Sequence, residues 1–370
     1  MAVLLAIAGA LLIMLLERWL WKRYWSRGLL AEIFFDRREV QEGDTCLLTE
    51  AVTNRKFLPL PVLQVKFRMG REIRFLDTEN TNRTDLSYRK DVFCMLPYQK
   101  VTRRMQVECT KRGYFSIQEA NLVTMNLLHT QLLGETVPCS AELYVCPGRS
   151  AVKGLEIPFS HMMGQCLINR FLYEDPFEFR GIRPYETTDS MKKINWSASA
   201  KTGELKVNQY HDTSQQEVTL LLNLESEGTR VYDILREESI RMIRTLTEWF
   251  AGRGIPVRIL SNGRDAVTGD SICSDFGSGS SHAAACRRLL ARIDLSKGQE
   301  DFVHTLERFR KEGGGLWVLV STSQKEALQK EAASCRAGDA FAQWIVPLHP
   351  EMKRRVSLPG VETFYFEVEV

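Results

Sequence analysis

Residues able to do chemistry concentrate between Gly181 and Glu227. The first group is Arg183, Tyr185, Asp189, Lys192, Lys193, Trp196 and Ser199, set in G-I-R-P-Y-E-T-T-D-S-M-K-K-I-N-W-S-A-S-A-K-T-G-E-L-K-V. Arginine suits bidentate contact with a carboxylate. The group therefore reads as a polar network that locks a long loop, with anion or peptide binding as the competing use. Trp196 is expected to be mostly buried in it, its indole N–H satisfied by the neighbouring loop. On that reading Trp196→Ala costs about 3–5 kcal/mol. No nucleophile constellation accompanies these residues. Ser197 and Ser199 lack a G-x-S-x-G elbow, and His211 and Asp212 are neighbours only along the chain.

The second group follows a short apolar run, Val218 to Leu222, which empties into Asn223-Leu224-Glu225-Ser226-Glu227. Open α/β sheets bind ligands at the carboxyl ends of their strands. Two carboxylates are ligands for a hard ion, so Glu225 and Glu227 are the metal candidates. A metal-assisted hydrolase using them is the alternative function. Mg²⁺ demands near-octahedral geometry at about 2.0–2.1 Å. With uncharged Asn223 leading the loop, the expectation is no cofactor and no tight site for Mg²⁺. The two carboxylates are then expected to splay into solvent or to pair with lysines and arginines of the first group. Other strand ends bring Ser261 and Asn262, and Ser321 and Thr322, to the same edge. With Asn223, Glu225, Ser226 and Glu227 these form the expected interaction loop for a protein partner.

The pattern from Arg183 to Val207 resembles the signature of a prokaryotic family, domain-of-unknown-function 58. Arg183, Tyr185, Asp189, Lys192 or Lys193, Ile194, Trp196, Ser199, Ala200, Lys201, Gly203, Leu205 and Val207 take the places of that signature. The resemblance implies a membrane-anchored protein with a β-rich first domain and a C-terminal domain similar to the von Willebrand A type. It also implies action beside a MoxR-type AAA+ ATPase in the maturation or assembly of complexes. Domains of the von Willebrand A type often hold Mg²⁺ in a D-x-S-x-S loop. Here Asn223, Glu225 and Glu227 stand at those three places, a departure that weighs against the ion.

These groups need elements to position them, and a chain of 370 residues is long enough for two cores. Ala2 to Leu16 is uninterrupted apolar, and extension through Trp21 reaches the roughly 20 residues of a membrane span. Trp19, Trp21 and Trp25 are expected to form an interfacial belt. Lys22, Arg23 and Arg27 flank one end, which places the body in the cytosol by the positive-inside rule. The start has no basic residue in its n-region, and no small-x-small site is followed by a mature-looking start, against a cleaved signal peptide. A buried helix of a soluble domain is the remaining alternative.

The expected fold is an α+β two-domain chain. It comprises a transmembrane anchor over 1–25 and an antiparallel β-sandwich-like domain over 34–146. A connector with the signature follows over 147–216, then an α/β doubly wound domain over 217–370. In the first domain Leu63, Val65, Phe67 and Met69 alternate with Gln64, Lys66 and Arg68, a period of two. In the last, strands at Val218–Leu222, Val257–Leu260, Leu316–Val320 and Phe341–Val346 alternate with helices. The helices are expected over Asp233–Phe250, from Ser281 or His282 to Ile293, after a Ser296 cap, and over Gln324–Ala333 behind a Ser321-Thr322-Ser323 cap. The tail from Thr363 reads as an edge strand.

Bulk properties narrow the function classes. A net charge of +3 argues against a dedicated nucleic-acid binder, with Arg287, Arg288 and Arg292 as the basic cluster. Nine cysteines without a C-x-x-C pair suggest neither a zinc site nor a disulfide scaffold, but thiols in a reducing compartment. The expected function is a non-enzymatic, membrane-tethered interaction or assembly module.

Overall fold

The computed structural model describes residues 1–77, 81–83, 86–152, 154–155, 179–186, 189, 191, 194–210, 217–225, 230–312, 316–335, 342–354, 356 and 358–368. Lys192, Lys193, Ser226 and Glu227 lie outside the described residues. The chain divides into two compact units, Met1–Gly148 with Leu290–Asp294, and Arg149–Leu289 with Leu295–Val370.

The first unit begins with helix α1, Ala2–Tyr24. Val3–Tyr24 is long and apolar enough to cross a membrane, and its hydrophobic window is not buried. Ten strands follow: β1 Leu29–Phe35, β2 Glu39–Gln41, β3 Thr45–Asn54, β4 Leu60–Gly70, β5 Ile73–Phe75, β6 Thr81–Arg83, β7 Leu86–Met95, β8 Lys100–Cys109, β9 Gly113–Met125 and β10 Leu132–Cys146. They form two sheets, ordered β1-β3-β8-β5 and β2-β10-β9-β4-β7-β6. Pairing is antiparallel except between β2 and β10. Alternation does the work. Leu63, Val65, Phe67 and Met69 of β4 point inward, and so do Leu48 and Val52 of β3, into one shared core. Trp21 and Trp25 also join that core. The expected tryptophan belt is thus corrected: only Trp19 of the three is exposed. The last turn of α1 packs its indoles on the sandwich because the β1 strand starts only a few residues later, at Leu29.

In the second unit β11 Phe179–Pro184 pairs antiparallel with β12 Lys206–Tyr210, and a short helix α2, Trp196–Thr202, lies between them in the chain. The main sheet contains β13 Val218–Asn223, β14 Val257–Asp265, β15 Ser271–Cys273, β16 Leu316–Ser321, β17 Ala342–Leu348 and β18 Glu362–Glu367. The helices are α3 Arg230–Gly252, α4 Gly279–Ala291, α5 Phe302–Lys311 and α6 Glu326–Ser334.

The strand order is β15-β14-β13-β16-β17-β18. All neighbours are parallel except β15, which runs antiparallel to β14. Every residue of β13 and β17 is buried, as parallel strands covered on both faces require. Leu221, Leu260, Trp317, Leu319 and Trp344 share a cluster with Phe302, Leu306 and Phe309 of α5 and Leu328 and Ala332 of α6. The sheet winds outward in both directions from β13. Its switch point therefore lies between β13 and β16, at their carboxyl ends.

Three local expectations are corrected. Ser261 and Asn262 continue β14 rather than opening a loop, because the strand runs on to Asp265 and turns back through β15. The cap of α5 is Asp301, whose side chain accepts from the Val303 N–H, and not Ser296. Lys325, not Ser321 to Ser323, precedes α6, and no side chain caps that helix.

Candidate functional site

The switch point gathers most of the described residues of the expected interaction loop into one polar knot. Asn223 ends β13 and donates through Nδ2 to Ser321 Oγ at 3.1 Å, across the β13–β16 pair. Its Oδ1 accepts from the Glu225 N–H at 2.9 Å and from Asn262 Nδ2 at 3.2 Å. Asn262 in turn accepts from the Leu224 N–H at 2.9 Å and donates to the Glu300 carbonyl at 3.0 Å. Ser261 Oγ closes on the Leu222 carbonyl at 2.8 Å. Ser321 Oγ donates to the Ser323 carbonyl at 3.1 Å. Neutral amides and hydroxyls pair here with main chain that leaves the sheet and has no strand partner, which is what burial demands of such groups.

This changes the reading of that face. Asn223, Ser261, Asn262, Ser321 and Thr322 are all buried and offer little to a partner; the hydrogen bonds of the first four hold the strand ends together. Glu225 does not splay into solvent. Its Oε1 accepts from the Phe302 N–H at 2.9 Å, at the first turn of α5, and its Oε2 meets Lys325 Nζ at 2.9 Å. A carboxylate at a helix N-terminus is favoured by the free N–H groups and the dipole there. The cation it pairs with comes from the start of α6, outside the signature. Thr322 Oγ1 and Ser323 Oγ are buried without a hydrogen-bond partner. A cavity of 360 Å³ opens beside them, lined by Tyr232, Thr322, Gln324, Lys325, Met352 and Lys353 together with Glu351. Among the described residues, no three His, Cys, Asp or Glu side chains converge as metal ligands would.

The signature residues make a second assembly, built on the β11–β12 hairpin. Arg183 grips Asp189 with two nitrogens, at 2.6 and 2.5 Å. The Glu186 N–H also donates to Asp189, at 2.9 Å. The Tyr185 N–H reaches the Leu205 carbonyl at 2.9 Å. Asn195 caps α2 by accepting from the Ala198 N–H at 2.9 Å, and its amide donates to Asn208 at 2.7 Å. Ser199 Oγ donates to the Asn195 carbonyl at 2.8 Å and accepts from the Lys206 N–H at 2.9 Å. Gly203 ends α2 with φ of 73°, a left-handed turn that a side chain would strain. Arg183 is thus tied to Asp189, and Ser199 ties α2 to the start of β12.

Trp196 takes no part in that lock. It is 64% exposed, which overturns the expectation of a buried indole. As the first residue of a two-turn helix it faces outward, while Ile194, Ser199 and Val207 occupy the inner side. Ile182, Met191 and Leu205 of the same assembly are exposed as well.

Two further clusters of titratable groups lie in this unit. Arg287 pairs with Glu248 at 3.1 Å, alongside Arg149 and Arg244, so part of the basic cluster is committed to α3. His282 Nε2 lies 3.3 Å from Cys286 Sγ, a pair the sequence reading passed over. The i, i+4 spacing on a helix is the signal that could have found it. Burial pushes the Cys286 thiol up to about 11, which keeps it protonated and poorly nucleophilic.

No protein-family model and no curated protein matches this chain. Solved structures do, over about a third of it. Domains D2 and D3 of the major pilin of Corynebacterium diphtheriae share 10% identity, with 34% of this chain and 57% of that one covered and a TM-score of 0.23. The CARDB domain of a Pyrococcus furiosus protein, in complex with di-metal ions, shares 16% over 30% of this chain and 86% of that one, at a TM-score of 0.21. A non-cellulosomal cohesin from Archaeoglobus fulgidus shares 9% over 31% and 90%, also at 0.21. The chain thus spans little more than half the length of that two-domain pilin fragment. At such TM-scores these likenesses say nothing of the chain's ligands or partners.

Proposed function

We propose that the chain is a membrane-tethered docking module for a protein partner, with the β11–β12–α2 assembly as its contact face. The observation that carries this is the exposed Trp196 on a scaffold otherwise closed by hydrogen bonds. Tryptophan dominates binding energy at protein interfaces because it offers a large rigid surface with a polar edge. Displaying it on a preorganised hairpin lowers the ordering cost of docking. Ile182, Met191 and Leu205 add apolar area on the same assembly.

The topology of the main sheet supports a von Willebrand A-like reading of the second unit, and the signature supports membership of the domain-of-unknown-function 58 family. On those readings the partner is a MoxR-type AAA+ ATPase, and the body faces the cytosol. The metal-assisted hydrolase is disfavoured by Glu225, whose two oxygens are already committed to the Phe302 N–H and to Lys325.

The test is a photo-crosslinking amino acid at position 196 in the host cell, with Glu119 as a control site. The expected result is an adduct at 196, absent at 119, that contains the AAA+ ATPase. Equal adducts from both sites, or none from 196, count against the docking face.

A further inference from the structure

An acidic residue inside an apolar helix calls for a partner, and Glu17 has one. It is the one acidic residue of α1. Its carboxyl oxygens accept from the Leu127 N–H at 2.9 Å and from Asn126 Nδ2 at 2.7 Å. Both donors belong to the turn that joins β9 to β10. That turn is closed on itself. Asn126 is fully buried, and its Oδ1 accepts from the Gln131 N–H at 2.7 Å while its amide also donates to Thr130 Oγ1 at 2.8 Å. The Asn126 N–H reaches the Gln131 carbonyl at 3.2 Å, and the His129 N–H the Asn126 carbonyl at 2.9 Å. Main chain in such a state can approach hydrocarbon, because few of its polar groups still need water.

What the turn shows outward is apolar. Leu127 and Leu128 are 52% and 50% exposed, side by side at a turn where Gly, Asn, Asp and Ser are the usual residues. Single exposed leucines need no explanation. These two differ because the turn is bonded to a residue within the apolar helix itself. At 1.5 Å of rise per residue, Glu17 lies about 6 Å inward of Trp21 along α1. If Ala2 to Trp21 fills a hydrocarbon core of about 30 Å, the turn sits near its edge. Side chains of interfacial segments bury to about 5–10 Å at this boundary. Trp21 and Trp25, packed in the sandwich core, fix the helix end to the same unit.

We propose that the β9–β10 turn is a second membrane contact. Leu127 and Leu128 enter the boundary between headgroups and acyl chains in the leaflet that the C-terminal end of α1 leaves. Glu17 is the clasp that sets their depth. The occupant of this patch is lipid. The β-sandwich then rests on the bilayer instead of swinging from a tether. This rests on α1 spanning a membrane.

The experiment uses the full chain in lipid nanodiscs, with exposed Cys94 and Cys273 replaced by serine. Single nitroxide labels are placed at Leu128, at Ile7 in α1, and at Glu119 on β9. Power saturation with oxygen and with a water-soluble nickel chelate reports each environment. The expected result is an oxygen-dominated signal at Ile7 and Leu128 and a chelate-dominated signal at Glu119. Glu17→Leu should shift the Leu128 label toward the chelate and leave Ile7 unchanged. An Ile7 label in lipid with Leu128 in water overturns the turn contact and leaves the anchor standing. Both labels in water remove the anchor and the proposal together. A Leu128 label shielded from both reagents means that protein covers the patch, which also overturns it.

Discussion

Glu50 sits in β3 with no exposed surface, and neither of its carboxyl oxygens accepts a hydrogen bond. Asp91 lies beside it, and Arg89 and Arg103 are both engaged by Asp91. Desolvation first, and then the Asp91 charge, push Glu50 up to about 8. A folded value above the unfolded one means that folding favours the protonated form. That contribution is whole below about pH 4.5 and is lost as pH rises to about 8. Glu50→Gln keeps the shape and removes the titration. Its stability advantage over the wild type should therefore grow between pH 5 and pH 8, by something on the order of 3 kcal/mol. Denaturant midpoints of the two proteins that run parallel across that range would contradict this account. Trp196 gives the opposite kind of expectation at this scale. Being exposed, it should tolerate Trp196→Ala with a change within about 0.5 kcal/mol in stability, far from the cost of a buried indole. A loss of several kcal/mol in a urea melt would show that the side chain is packed after all. The sequence showed an aromatic within a polar signature, but not its direction. Ile194 and Val207 are buried in this assembly, and Trp196 is not.

Among the elements, the strands were the most legible. The alternation in β4 and the continuous apolar runs of β13 and β16 read directly from residue order, since each follows from how many faces are covered. The caps were not. Asp301 rather than Ser296 starts α5, and the polar residues at the ends of β13, β14 and β16 turn inward. Polar strand ends look alike in sequence whether they meet solvent or one another. The difference comes from long-range partners, such as Ser321 for Asn223, 98 residues away. Glu225 shows the consequence. It ties the β13 end to α5 and α6 at once, so Glu225→Ala should cost about 1–2 kcal/mol, the loss of a helix cap. Lys325→Ala removes only the more exposed member of an ion pair and should cost less than about 1 kcal/mol. Equal losses in paired thermal melts would mean that the ion pair, not the cap, is the link. A charge reversal at Glu225 therefore tests stability as well as binding, and serves poorly as a probe of partner capture alone.

For the whole molecule, the span of α1 and the sandwich that encloses Trp21 and Trp25 make one unit, and the sheet with its signature hairpin makes the other. The apolar run that makes α1 was plain in the sequence; the burial of its two tryptophans was not, because it depends on the sandwich fold. Basic residues at the C-terminal end of α1 support a body in the cytosol. Protease added to intact cells should then leave the body whole, and its degradation would reverse the orientation. On the function proposed above, this body docks a protein partner through Trp196 without a metal ion. The most direct measurement is the affinity of the full chain, held in nanodiscs, for the purified MoxR-type ATPase of the same cell, in Mg²⁺ and in excess chelator. Binding should be the same in both conditions and weakened at least about tenfold by Trp196→Ala, the scale of an interface hot spot. Binding that vanishes in chelator, yet ignores Trp196→Ala, would contradict that reading.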